Sequence, residues 1–180
     1  MRKVGGVLLA VAMLLPVGLI AAGPASAAAP ALTCTKIAGA ATFTPPVSPT
    51  VSATHNVSSK STISGCTGTA GITGGVATFT SKGTTKQNCA QLIASKKVTT
   101  ATITVKWSNG TTSGPGTATV TPIAAATVKI TSKITKGQFA GKTSISTVLF
   151  IPKGGGCLTP GKSLSTTTTS LKAGTKLVIS

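Results

Sequence analysis

The run Ala101-Thr102-Ile103-Thr104-Val105-Lys106-Trp107 carries the plainest pattern in this chain. Ala101, Ile103, Val105 and Trp107 fall on every second position, with Thr102, Thr104 and Lys106 between them. Successive side chains of an extended strand point to opposite faces, so a period of two marks a strand with one buried and one wet side. Asn109-Gly110 follows, and this dipeptide predicts a type I′ hairpin turn, which needs positive φ at both central residues. The return strand is Gly116 to Thr121, with Ala118 and Val120 inward and Thr117, Thr119 and Thr121 outward.

Working outward from this hairpin, the same alternation recurs over Thr127–Thr135, where Val128, Ile130 and Ile134 oppose Lys129, Thr131, Lys133 and Thr135. Further strands are expected at Thr35–Phe43, Val51–Asn56, Lys60–Cys66, Val76–Ser81, Lys142–Ile151, Leu164–Leu171 and Lys176–Ile179, separated by glycine-containing turns. Gln87–Ala94 lacks alternation and carries moderate helix formers, so a short helix or wide loop is expected to cross near residues 86–95. About ten short strands at spacings near ten residues point to an all-β fold. The expected architecture is an antiparallel β-sandwich of immunoglobulin-like Greek-key type, with a β-barrel as the alternative. Cys89…Trp107…Cys157 loosely matches the immunoglobulin marker, although its second interval is long.

Residues 1–27 read as a cleaved Sec signal peptide: Arg2-Lys3, an apolar stretch from Val4 to Ala22, then Gly23-Pro24-Ala25-Ser26-Ala27 with small residues at the cleavage positions. Residues 28–180 are expected to form a single domain, with no transmembrane segment after signal cleavage, in a secreted or cell-envelope-associated protein. Cys34, Cys66, Cys89 and Cys157 all lie beyond the signal, and an even number in an oxidising compartment implies two disulfides. Three pairings are open to them. Cys34–Cys66 with Cys89–Cys157 is favoured, because the shorter first loop closes early and joins neighbouring strands. No C-x-x-C spacing occurs and His55 is isolated, so neither a metal nor another cofactor is expected.

The chain has 180 residues, 17 Lys and Arg, and no Asp or Glu. Without a side-chain carboxylate there can be no glycosidase acid pair, no Ser-His-Asp triad, no EF-hand and no Walker-B magnesium site. His55 is the one histidine and reads as a partly exposed strand residue. Gly156-Cys157-Leu158-Thr159-Pro160-Gly161-Lys162-Ser163 matches the literal P-loop pattern. A phosphate loop must open a helix, whereas Leu164-Ser165-Thr166-Thr167 favours a strand, so the match is a glycine-rich turn. A non-enzymatic protein is therefore expected.

The 15 lysines beyond residue 27 have no side-chain counter-ions. Lys106, Lys129 and Lys133 take outward strand positions, and Lys96, Lys97, Lys136, Lys142, Lys153 and Lys162 lie in loops. Such a surface keeps a protein soluble and discourages edge pairing. It also attracts anionic cell-wall polymer or an anionic lipid surface, with Lys96, Lys97, Lys106, Lys129, Lys133, Lys136 and Lys142 as the candidate contacts. Specific nucleic-acid recognition is not expected, since no Arg remains for bidentate base contacts and aromatics are few. The expected function is that of a secreted structural or binding protein associating electrostatically with anionic envelope polymers. A cationic membrane-active or toxin-like protein is the alternative, for which Val148-Leu149-Phe150-Ile151 is the one apolar run available.

Taken together, Cys34, Ser64-Gly65-Cys66, Cys89, Lys106-Trp107-Ser108-Asn109-Gly110-Thr111-Thr112-Ser113 and Gly137-Gln138-Phe139-Ala140-Gly141 resemble a group of small secreted β-proteins of actinobacteria. The resemblance implies a β-fold and an extracytoplasmic location, and it implies no activity.

Overall fold

The computed structural model describes residues 31–68 and 71–180, and the expected signal segment lies outside the described residues. In chain order the elements are β1 (Leu32–Val47), β2 (Asn56–Gly68), β3 (Gly74–Ser81), α1 (Cys89–Ala94), β4 (Thr99–Trp107), β5 (Thr112–Ala124), β6 (Thr127–Lys133), β7 (Thr143–Pro152), a 3-10 segment (Lys153–Leu158), β8 (Leu164–Leu171) and β9 (Leu177–Ile179).

From β1 to β8 each strand pairs antiparallel with the next, and β1 pairs along its other edge with β8 and β9. The sheet therefore closes on itself as an eight-stranded antiparallel barrel. This corrects the expected immunoglobulin-like Greek-key sandwich. A sandwich needs two separate sheets and connections that cross between them, whereas here every hydrogen-bonded neighbour follows in sequence until the ring is closed. Alternation alone cannot separate the two, because a barrel wall also buries every second side chain. Register shifts help to close the ring: between Thr42 and Val47 of β1, between Ile103 and Val105 of β4, and between Pro122 and Ala124 of β5. Such irregularities bend a strand and increase its twist.

The eighth position is shared by two strands. β8 covers β1 from Ala38 to Val47 and β9 covers it from Leu32 to Cys34, with residues 172–176 looped out between them. The Lys172 amide and the Thr175 hydroxyl both donate to the carbonyl of Thr147 on β7, which anchors the excursion.

Two local expectations also change. Val51–Asn56 is not a strand: up to His55 it is a loop whose ladder contact is one bridge between Ala53 and Gln87, and Asn56 begins β2. Pro45, Pro46 and Pro49 lead into it, each lacking an amide donor for a ladder. The turn at Asn109-Gly110 is not type I′, because Gly110 has φ +83° while Asn109 is not among the positive-φ residues. The Gly110 amide donates to Trp107 O, and the Trp107 amide to Thr111 O. Together these define a three-residue loop with glycine at the left-handed position.

α1 forms where non-alternating sequence stood. The Asn88 side chain accepts from the Gln91 amide, and the Gln91 side chain accepts in return from the Asn88 amide. This reciprocal cap satisfies amides that so short a helix cannot satisfy internally.

The two ends of the barrel are filled differently. At one end Leu32, Ile63, Ile72, Trp107, Ile134, Leu177 and Ile179 form a buried cluster with Cys34 and Cys66. Trp107 is packed edge-on to Phe139, with ring centroids 5.7 Å apart, and its indole N–H donates to Ser113 Oγ at 2.7 Å. Gly75 lies opposite Trp107 in register, and a Cβ there would stand 2.9 Å from the indole, so the ring can settle only over a glycine. The other end holds a smaller cluster of Val47, Cys89 and Leu164 beneath α1 and the 3-10 segment. Between them the lumen is lined partly by hydroxyls, which pair as Ser61 with Thr169 at 3.1 Å and Ser132 with Ser144 at 2.8 Å.

Candidate functional site

The outward wall is made largely of threonine, serine and lysine, as in Thr102 and Lys106 of β4 and Lys129 and Lys133 of β6. Apolar side chains fill the two ends of the lumen with hydroxyls between them, and Ile145 and Ile151 stand exposed on the outer face of β7. Among the described residues no helix is long and apolar enough to cross a membrane.

Lys129 and Lys133 stand exposed on β6, opposite Thr147 and Thr143 of β7. Lys142 enters β7, its carbonyl accepting from the Ile134 amide, and Lys136 sits in the intervening loop. Lys172 and Lys176 lie one strand further on, in the excursion anchored to Thr147. Neighbouring strands are about 4.8 Å apart, so these six charges share roughly a quarter of the barrel's circumference. Lys106, on β4, stands two strands away in the other direction, and Lys96 and Lys97 lie beyond α1 at the other end. The seven lysines singled out from the sequence are thus divided. Lys172 and Lys176 join the group unforeseen, because only the pairing of β7 with β8 and β9 brings them beside β7 and within two strands of β6.

The structure pairs Cys34 with Cys66 and Cys89 with Cys157. The first joins facing residues of β1 and β2, and the second ties α1 to the 3-10 segment. Trp107 packs beside Cys34–Cys66, at the opposite end from Cys89–Cys157, so the loose immunoglobulin marker corresponds to no contact. The literal P-loop stretch runs through the 3-10 segment into β8, with no helix after it. His55 is buried, not partly exposed, and its ring nitrogens lie 2.8 Å from Pro45 O and 2.9 Å from Gln87 O. Carbonyls only accept, so the ring is engaged as a strut between the end of β1 and the approach to α1. Val148-Leu149-Phe150-Ile151 is part of β7, alternating between a buried Val148 and an exposed Ile151.

Among the described residues the lumen includes two cavities. One of about 80 Å³ lies toward the Trp107 end. The other, about 380 Å³, lies beneath α1 and is walled mainly by apolar side chains, among them Val57, Val120, Val128 and Leu164. Phe79 and Phe150 border both cavities and form the partition. The larger volume falls within the roughly 300–1,000 Å³ of small-molecule sites. Ile93, Val98 and Leu158 line this chamber while remaining 46%, 50% and 62% exposed, and Lys82 and Lys97 stand beside them. Of these chamber residues only Lys97 was named from the sequence as a candidate binding contact, while Val120, Val128, Phe150 and Leu158 entered there only as parts of strand, apolar or turn patterns. Their shared feature is position around a closed ring, for which a linear pattern has no signal.

Compared with known proteins, the chain matches no family model, no curated protein and no solved structure.

Proposed function

We propose that this protein works outside the cytoplasm as a non-enzymatic binding barrel, secreted and held at the cell envelope by electrostatic contact of its lysines with anionic polymer. The observation that carries this reading is the grouping of Lys129, Lys133, Lys136, Lys142, Lys172 and Lys176 around β6 and β7 in a chain with no side-chain carboxylate. Two disulfides support an oxidising location. Lysine meets phosphate or carboxylate as a point charge, so the contact is insensitive to polymer sequence and strongly sensitive to salt.

The test is sedimentation of the purified protein with isolated cell walls and, separately, with anionic vesicles, at about 0.05 and 0.5 M salt, where the screening length changes severalfold. The expected result is sedimentation with walls at low salt and release at high salt. Joint replacement of Lys129, Lys133 and Lys172 by Gln should flatten the salt dependence. Failure to sediment with walls, or retention indifferent to salt, would overturn the reading.

A further inference from the structure

The chamber beneath α1 is independent of the β6 lysines and combines three features. The first is unfilled apolar volume, about 380 Å³ above the Phe79–Phe150 partition. Well-packed proteins of this size rarely leave a void much larger than a water molecule, so an apolar space of these dimensions is suited to holding an apolar guest. The second is Thr167. It is 2% exposed, lines the chamber from β8, and its hydroxyl is the one buried side-chain polar atom among the described residues without a hydrogen-bond partner. Two residues along β8, Thr169 is paired with Ser61, so the hydroxyl of Thr167 differs from that of its strand neighbour. A buried hydroxyl without a partner is destabilising, and a ligand in the chamber is one group that can supply the missing bond.

The third feature is charge at the mouth. Lys82 and Lys97 line the chamber on the segment between β3 and β4, and both are exposed. Lys97 Nζ donates to Thr85 Oγ1 at 2.6 Å, which holds the ammonium at the rim, and no side-chain carboxylate exists to neutralise either charge. β3 and β8 are three strand positions apart in the closed ring, so the lysines and Thr167 line different sides of the chamber.

We propose that this chamber is a binding site for an anionic amphiphile. Its apolar body fills the space above Phe79 and Phe150, its acidic head lies between Lys82 and Lys97, and one hydrogen-bonding oxygen on the body reaches Thr167. The class is an oxygen-substituted chain acid. A cation or a purely hydrocarbon guest leaves two of the three features unused. The exposed Ile93, Val98 and Leu158 form the apolar lip over which such a chain enters.

The experiment is titration calorimetry of the purified protein with dodecanoate, ω-hydroxydodecanoate and dodecyltrimethylammonium, each below its micellar concentration. The hydroxy acid is expected to bind about five- to tenfold more tightly than dodecanoate, the worth of one neutral hydrogen bond. Dodecanoate is expected to bind more tightly than the cation. Thr167→Val keeps the side-chain shape and should erase the first preference. Lys82→Gln with Lys97→Gln alters two exposed residues and should erase the second. Thermal unfolding of each variant, compared with that of the native protein, shows that the fold is intact. No binding by any probe, equal binding of acid and cation, or a hydroxyl preference that survives Thr167→Val would each overturn the proposal. Phosphatidylglycerol vesicles added to the dodecanoate complex distinguish the sources. Displacement assigns the ligand to a membrane lipid, and no displacement assigns it to a free acid.

Discussion

The Trp107 end and the α1 end of this barrel share the same strands, yet one leaves a cavity of only about 80 Å³ and the other encloses a chamber of about 380 Å³. At the first, Leu32, Ile63, Trp107, Leu177 and Ile179 meet across the lumen, and each is almost fully buried. At the second the wall is Val57, Val120 and Val128, whose shorter side chains leave the centre open, while Ile93, Val98 and Leu158 turn toward solvent. An eight-stranded ring is just wide enough for side chains to fill or for one small ligand to occupy. Side-chain volume at the inward positions decides between these, and this chain does one at each end. One end works as a plug that holds the ring, and the other as the adaptable mouth.

Three measurements sharpen or break that contrast. The largest effect is expected at the plug. Trp107→Ala removes a buried indole, its contact with Phe139 and its bond to Ser113, and should destabilise the protein by about 3–5 kcal/mol in denaturant unfolding. A loss below about 1 kcal/mol would mean that this end does not hold the ring.

At the mouth, Cys89→Ala with Cys157→Ala should lower stability by about 4 kcal/mol on the chain-entropy account, since this bridge spans 68 residues against 32 for Cys34–Cys66. Amide exchange is the sharper readout. Protection should fall in α1 and at the start of β8 while Trp107 and its neighbours stay protected. Uniform loss over the whole barrel would show that the two ends are not separable.

The smallest effect has the opposite sign. Thr167→Val replaces an unpaired buried hydroxyl by a methyl of the same shape, and should raise the stability of the ligand-free protein by about 1 kcal/mol. A stabilising substitution in the chamber wall is the signature of a residue kept for binding at the expense of packing. A destabilising result would mean that Thr167 is already satisfied.

Much of the wall was legible in the sequence. Ala101 to Trp107 alternates as an extended strand must, and Thr127–Lys133 and Leu164–Leu171 are strands where the alternation and the run of β-branched residues placed them. The break in alternation over Gln87–Ala94 suits a short helix or a wide loop, and α1 is the helix. The choice between sandwich and barrel was not legible, because inward positions alternate identically in both. The stretch from Val51 to His55 misled for a related reason: its local pattern suits a strand, but no partner edge is free to receive it. The lysine set was legible as charge but not as a surface, as Lys172 and Lys176 show by reaching β6 through β7.

What the sequence by itself determined is what depends on nearest neighbours and on composition. Those are most of the strands, the break in alternation where α1 forms, the absence of carboxylates and hence of carboxylate chemistry, and the net positive charge. What only the tertiary structure decided is what depends on closure. When β8 and β9 pair with β1, Thr167, Lys82, Lys97, Phe79 and Phe150 come to surround one space, although they lie up to several strands apart along the chain. Hydrogen-bond geometry along a strand is local and readable. A cavity is a property of side chains that meet across a ring, and they are neighbours only once the ring has closed.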